Sequence, residues 1–74
     1  MMLNADETTM LMFISHLEGV PFSKQDEKGQ ALLLELKAKE YLFENEDWYH
    51  LTDKGTEYVA EHSEEWLRSR ASQE

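Results

Sequence analysis

The sequence contains no cysteine, one proline and no long apolar run. Without cysteine the chain can form neither a disulfide framework nor a thiolate metal site. A membrane-spanning helix needs about 18 or more consecutive apolar residues, so we predict no membrane span. The acidic start, MMLNADETT, lacks the basic and apolar segments of a signal peptide. We therefore expect a cytoplasmic protein.

Basic residues are also scarce. The chain has seven Lys and Arg against sixteen Asp and Glu, a formal net charge of -9. Residues 40–65 hold nine of the acids and a single base, Lys54. Such a charge repels polyanions and attracts cationic surfaces, so we expect a protein partner with a basic surface. Three roles for the acidic surface stay open: docking on that partner, imitation of a nucleic acid, or simple solvation.

The length of 74 residues indicates a single domain. We predict that this domain spans residues 1–70 and that residues 71–74 form a frayed C-terminal tail. A chain this short buries only about 60% of its unfolded surface, so its core is small. Because association would bury more apolar surface, we expect a homodimer.

Residues that commonly carry catalysis or bind metals are few. There is no cysteine nucleophile and no glycine-rich phosphate loop. His16, His50 and His62 are scattered, and no two of them have the spacing of zinc ligands. The carboxylates occupy positions typical of a surface, where burial does not shift their pKa. We predict that the protein is not an enzyme and uses no metal or cofactor.

The first half of the chain has helical patterns. Residues 4–18 are predicted to form a helix because Asn4 and Glu7 have the spacing of a capping box. Its apolar stripe is expected to contain Met10, Phe13, Ile14 and Leu17. Residues 20–22, Val-Pro-Phe, are expected to be an extended connector, since proline disfavours helix at the residue before it.

Residues 23–40 form the second helical pattern. The pattern fits one helix from residue 23, or a stub over residues 23–28 followed by a helix over 29–40, with Gly29 as the break. On a helical wheel Leu32, Leu33 and Leu36 make one apolar face. A second apolar face, nearly opposite the first, contains Leu34, Ala38 and Tyr41. This face is a candidate dimer contact, and so are the first and the last helix.

The rest of the chain is arranged around residues 41–55, YLFENEDWYHLTDKG. Two β-prone runs separated by four polar residues predict a β-hairpin. Side chains alternate along a strand, so Tyr49 and Leu51 share the inner face and Trp48 and His50 the other. Thr52 is a predicted N-cap, and Gly55 is expected to allow close approach of the last helix to the hairpin. That helix is predicted to run to about residue 68, with an inward stripe of Tyr58, Val59, His62 and Trp66.

Residues 49–55, YHLTDKG, are similar to the Y-x-L-T-x-K-G sequence at the end of the wing in many winged-helix proteins of the MarR and PadR type. The spacing of Leu32, Leu36, Tyr41 and Leu42 resembles the helix that leads into that wing. The resemblance implies a small α+β winged-helix domain with three to four helices, a two-stranded hairpin as the wing, and a regulatory role. The family usually has two helices between the first helix and the wing; residues 23–40 hold either a stub and a helix, or one helix fewer.

Two functions follow from these patterns. The first is protein binding through the acidic hairpin and its aromatic side chains, that is, through Phe43, Glu44, Glu46, Asp47 and Trp48. Phe43 and Trp48 either contact the partner or bury each other. The alternative is a DNA-binding transcriptional regulator that uses residues 23–40, with contacts from Lys24, Lys28, Lys37 and Lys39. Those residues include four acids as well, so their net charge is zero, and we predict protein binding rather than DNA binding.

Overall fold

The computed structural model describes the backbone of residues 3–71 and the side chains of residues 3–63. This part of the chain forms a small α+β domain. Its elements are α1 (Ala5–Leu17), β1 (Val20–Pro21), a 3-10 turn (Phe22–Lys24), α2 (Glu27–Ala38), β2 (Leu42–Asn45), β3 (Trp48–Leu51) and α3 (Asp53–Ala71). The three strands form one antiparallel sheet in the order β1-β3-β2. Over the described residues, no helix combines the length and apolar character needed to cross a bilayer.

Helix α1 begins with the predicted capping box. The Asn4 side chain accepts from the Glu7 N–H at 2.8 Å, and the Glu7 carboxylate accepts from the Asn4 N–H at 3.0 Å. The predicted stripe is wrong in two of its members, because Phe13 and Leu17 are 54% and 51% exposed. The helix buries Ile14, as predicted, together with Leu11, Met12 and Glu7. Apolar residues surround most of α1, so their spacing alone does not select the face that packs.

The predicted connector at Val20–Pro21 is a strand, so the sheet has three strands rather than the two of the expected hairpin. Val20 pairs with Tyr49 and Pro21 with Trp48. Pro21 is tolerated because β1 lies at the edge of the sheet, where its missing N–H would face no strand. The Phe22 N–H then donates to the Asp47 carbonyl at 2.7 Å. A strand of only two residues is too short to show an alternating pattern, so the sequence alone does not predict β1.

Between β1 and β2 the chain holds a single 3-10 turn followed by one full helix. A stub followed by a helix is one of the two predicted arrangements, but the bounds differ: the stub is Phe22–Lys24 and α2 is Glu27–Ala38. The predicted break at Gly29 is wrong, because Gly29 lies inside α2. Asp26 is its N-cap and accepts from the Gly29 N–H at 2.8 Å. The chain reverses at Glu40, whose φ of 70° is left-handed.

The hairpin of β2 and β3 is confirmed, with a tighter turn than the four residues expected. Asn45 pairs directly with Trp48, so only Glu46 and Asp47 form the turn. Glu46 has a φ of 60°, which such a short connection requires of at least one residue. Tyr49 faces the core and is 1% exposed, as predicted, and Leu51 is half-buried.

The start of α3 also follows the prediction. The Thr52 hydroxyl accepts from the Gly55 N–H at 3.1 Å and donates to the Glu40 carbonyl at 2.7 Å. A Cβ at Gly55 would collide with the Tyr41 carbonyl oxygen, so the close approach to the hairpin is real. The helix runs to Ala71, beyond the predicted end. The side chain of Trp66 and the tail at residues 72–74 lie outside the part that is described.

The core lies between the inner face of the sheet and the helices. It contains Leu3, Leu11, Ile14, Val20, Leu33, Leu36, Tyr41, Leu42 and Tyr49. Tyr58 and Val59 of α3 pack against it. Side chains alternate along a strand. Phe43, which follows Leu42, and Trp48 and His50, which flank Tyr49, must therefore point to the opposite face of the sheet.

Candidate interaction surface on the sheet

The strand pairing brings five side chains together on the face that points away from the core. Directly paired residues share one face of a sheet. The pairs are Phe43 with His50, Asn45 with Trp48, and Pro21 with Trp48. We call this set (Pro21, Phe43, Asn45, Trp48 and His50) the outer sheet face.

Two large aromatic residues of the outer sheet face remain open to solvent. Phe43 and Trp48 are each 47% exposed. Phe43 stacks on the His50 ring, with 5.3 Å between centroids and 29° between planes. Phe43 and Trp48 therefore do not bury each other, and both remain available for contact with another molecule.

His50 is held in place from the side of β1. Its Nδ1 lies 3.0 Å from the Glu18 carbonyl oxygen, and since a carbonyl can only accept, Nδ1 donates. Gly19 leaves room for this ring, because a Cβ there would come within 2.8 Å of two of its atoms. Gly19 also has a φ of 130°, which other residues rarely adopt. The Phe43–His50 stack is thus fixed before any partner arrives.

The three acidic residues predicted to bind a partner differ in their surroundings. Glu44 pairs with Lys37 at 2.9 Å. The Asp47 carboxylate accepts from the Ser23 N–H at 3.1 Å and from the Ser23 hydroxyl at 2.5 Å, which fastens the turn to the 3-10 segment. Glu46 is exposed at the tip of the turn, with no ion-pair partner among the described side chains. Glu46 is therefore the acid of the three best placed to meet a partner.

The lysines predicted for DNA contact are largely paired with acids of the same chain. Lys28 lies 3.5 Å from Asp6, Lys37 pairs with Glu44, and Lys39 lies 2.7 Å from Glu7 and 3.6 Å from Glu35. Hydrogen bonds from Lys37 to Glu44 and from Lys39 to Glu7 raise the pKa of both lysines. Over residues 3–63, Lys24 alone of the four has no carboxylate within 4.0 Å. The four lysines do not form a free cationic ridge.

Glu7 contradicts the expectation that the carboxylates lie on the surface. It is 1% exposed. The hydrogen bond from Lys39 lowers its pKa; burial opposes this, and the bond from the Asn4 N–H reinforces it. The capping-box spacing was visible in the sequence, but the lysine partner lies 32 positions away. Glu7 serves the fold and lies outside the outer sheet face.

The candidate dimer face is divided between surface and core. Leu34 is 50% exposed and Ala38 is also exposed, whereas Tyr41 is 8% exposed. Tyr41 follows the end of α2 and meets the Tyr58 ring edge-on, with 5.5 Å between centroids. Tyr41 is therefore a core residue and does not share an exposed face with Leu34 and Ala38.

The three histidines have separate settings. His16 is exposed on α1, and the His62 ring stacks on Tyr58 with 4.0 Å between centroids. Among the side chains of residues 3–63, no three of the His, Asp and Glu type are grouped so as to hold a metal ion.

Comparison of the chain with protein-family models, with characterised proteins and with solved structures gives no significant match. A function must therefore be inferred from the surfaces of the chain itself. Among the described surfaces, the outer sheet face combines rigid, half-exposed aromatic rings with an exposed carboxylate at its end.

Proposed function

We propose that the chain is a non-catalytic winged-helix module that binds a protein through its outer sheet face and acts in regulation. The observation that carries this proposal is the pair of aromatic residues Phe43 and Trp48, each 47% exposed on one face of the sheet. Aromatic side chains dominate the binding energy of many protein interfaces because they bury large areas and lose little rotamer freedom.

The order of the elements supports the winged-helix part of the proposal. The 3-10 turn and α2 occupy the interval in which that family has two helices, and the hairpin follows them. Within YHLTDKG, Tyr49 is buried, Thr52 caps α3 and Gly55 contacts the Tyr41 carbonyl. The Lys54 ammonium donates to the Lys39 carbonyl at 2.9 Å. The residues that carry the resemblance thus have structural tasks here, and the regulatory role comes from the resemblance alone.

The charge of the chain supports a basic protein as the partner. A net charge of -9 steers cationic surfaces toward the domain and repels nucleic acid. DNA binding, the alternative, needs lysines that are free to neutralise phosphates. Three of the four candidate lysines already contact carboxylates of the chain, which makes this alternative the weaker one. The homodimer also remains a proposal, with exposed Phe13 and Leu17 on α1 as its contact.

Affinity capture from an extract of the native host tests the proposal. The bait is compared with Trp48→Ser and with Leu34→Ser, a matched control that removes a side chain of similar exposure from α2. We expect the wild type and the Leu34 variant to retain the same partner and the Trp48 variant to lose it. Equal recovery by all three baits would exclude the outer sheet face as the binding surface.

A further inference from the structure

We propose that the outer sheet face binds arginine side chains of an extended partner segment, with a guanidinium group stacked on the Trp48 ring. This inference rests on the proposed function and adds the chemistry of the partner. Its basis is the diagonal arrangement of the two exposed aromatic residues together with the exposed acids near the ends of the face.

The arrangement of the aromatic residues suits a flat cationic group. Phe43 is opposite His50, and Trp48 is two residues before His50, so Phe43 and Trp48 are diagonal neighbours. Such neighbours lie about 7–8 Å apart, within reach of aromatic side chains. One side chain of a partner can therefore reach both residues, with its planar group against the Trp48 ring. Asn45, opposite Trp48, adds an amide able to hydrogen-bond to the same group.

The charge selects a cation, and the aromatic surface selects arginine. Exposed Glu46 lies two residues from Trp48 at the turn. At the other end of the face, the main-chain carbonyl of exposed Glu18 contacts the His50 ring. A guanidinium is planar and weakly hydrated, so it stacks on an aromatic face more readily than the compact ammonium of lysine. Exposed acidic residues near both ends of the face can meet further basic residues of the same segment.

Other occupants fit less well. A second copy of the chain would bring Glu46 and a net charge of -9 onto a face flanked by the same charge. Strand addition at β2 would have to use the outward backbone of Leu42 and Glu44, because the Thr52 N–H donates to the Tyr41 carbonyl across the hairpin. Leu42 is only 2% exposed, so the edge is covered at that residue, and the Glu44 side chain beside it pairs with Lys37. At the other edge Pro21 has no N–H to offer. Side-chain docking on the open face remains.

Two synthetic peptides test the inference. One alternates arginine with threonine, and the other has lysine at every arginine position. Their binding to the full chain is measured by the NMR shifts of the two indole N–H signals, and the Trp48 signal is identified by its absence from the Trp48→Ala variant. We expect the arginine peptide to shift the Trp48 signal and to bind several-fold tighter than the lysine peptide. Trp48→Ala should weaken the arginine peptide about tenfold, and Leu34→Ala should leave it unchanged.

Equal affinity for the two peptides, an unchanged affinity in the Trp48 variant, or no binding at all would overturn the inference. The wild-type shifts keep it falsifiable even where the Trp48 variant folds poorly. If affinity capture still depends on Trp48 in any of these cases, the proposed function stands and only the arginine chemistry fails. If capture does not depend on Trp48, the proposed function itself fails.

Discussion

The ammonium group of Lys39, at the end of α2, lies 2.7 Å from the buried carboxylate of Glu7 in the first turn of α1. Glu7 also closes the capping box with Asn4, so one carboxylate joins the start of α1 to the end of α2. A lysine that the DNA-binding alternative requires is thereby committed to the fold. The pair has measurable consequences for stability.

Replacing Glu7 with glutamine should destabilise the protein by about 2 kcal/mol, because a charged hydrogen bond is lost at a side chain that is 1% exposed. The matched control is Asp6→Asn, which removes an exposed partner 3.5 Å from Lys28 and should change stability by less than about 0.5 kcal/mol. Urea unfolding followed by circular dichroism measures both. Similar losses in the two variants would show that Glu7 has no special contribution.

The same pair predicts how stability depends on pH. The folded-state pKa of Glu7 is lowered, so its contribution is fully present above the ordinary glutamate pKa and is lost as pH falls through the lowered value. The pKa of Lys39 is raised, so its contribution is present below the ordinary lysine pKa and is lost as pH rises through the raised value. Urea midpoints across the acid range should fall less steeply for Glu7→Gln than for the wild type; parallel curves would contradict this.

The parts of the fold that could be predicted depend on contacts between residues close in sequence. The caps at Asn4 and Thr52 join residues three positions apart, and the side chains of the hairpin alternate with a period of two residues. The strand at Val20–Pro21 could not be predicted, because it exists only through pairing with Trp48 and Tyr49. The outer face of the hairpin followed from alternation, but the burial of Glu7 depends on a lysine supplied by a distant helix.

Gly55 provides a test of the contact between α3 and the hairpin. Glycine to alanine inside a helix normally stabilises by about 1 kcal/mol. Here the added Cβ would strike the Tyr41 carbonyl, which is backbone and already accepts the Thr52 N–H, so we expect Gly55→Ala to destabilise by about 1–3 kcal/mol. Gly29→Ala in α2 is the control, since its new Cβ meets only side chains, at 3.2 Å and beyond. Thermal unfolding would contradict this account if both variants gained stability.

The exposed apolar residues of α1 predict where two copies would meet. Phe13 and Leu17 are four positions apart, so they lie on one side of the helix, and each is more than half exposed. If the chain is a dimer through α1, the double variant Phe13→Ser and Leu17→Ser should be monomeric, whereas Leu34→Ser should remain dimeric. Light scattering after size exclusion gives the mass directly. A wild-type monomer at high concentration would remove the dimer proposal.

The acids that pair with the lysines predict the result of a DNA-binding assay. Phosphate contacts need cationic groups, and their effect weakens as salt rises. Lys28, Lys37 and Lys39 each contact a carboxylate of the same chain, so we expect the wild type not to retain DNA in a mobility-shift assay even at low salt. A variant with Asp6→Asn, Glu44→Gln and Glu46→Gln lacks three acids near α2 and the turn, and the amount of DNA that it retains is compared with that of the wild type. Retention by the wild type that falls steeply with salt and is lost on Lys24→Ala and Lys28→Ala would reverse the ranking of the two functions.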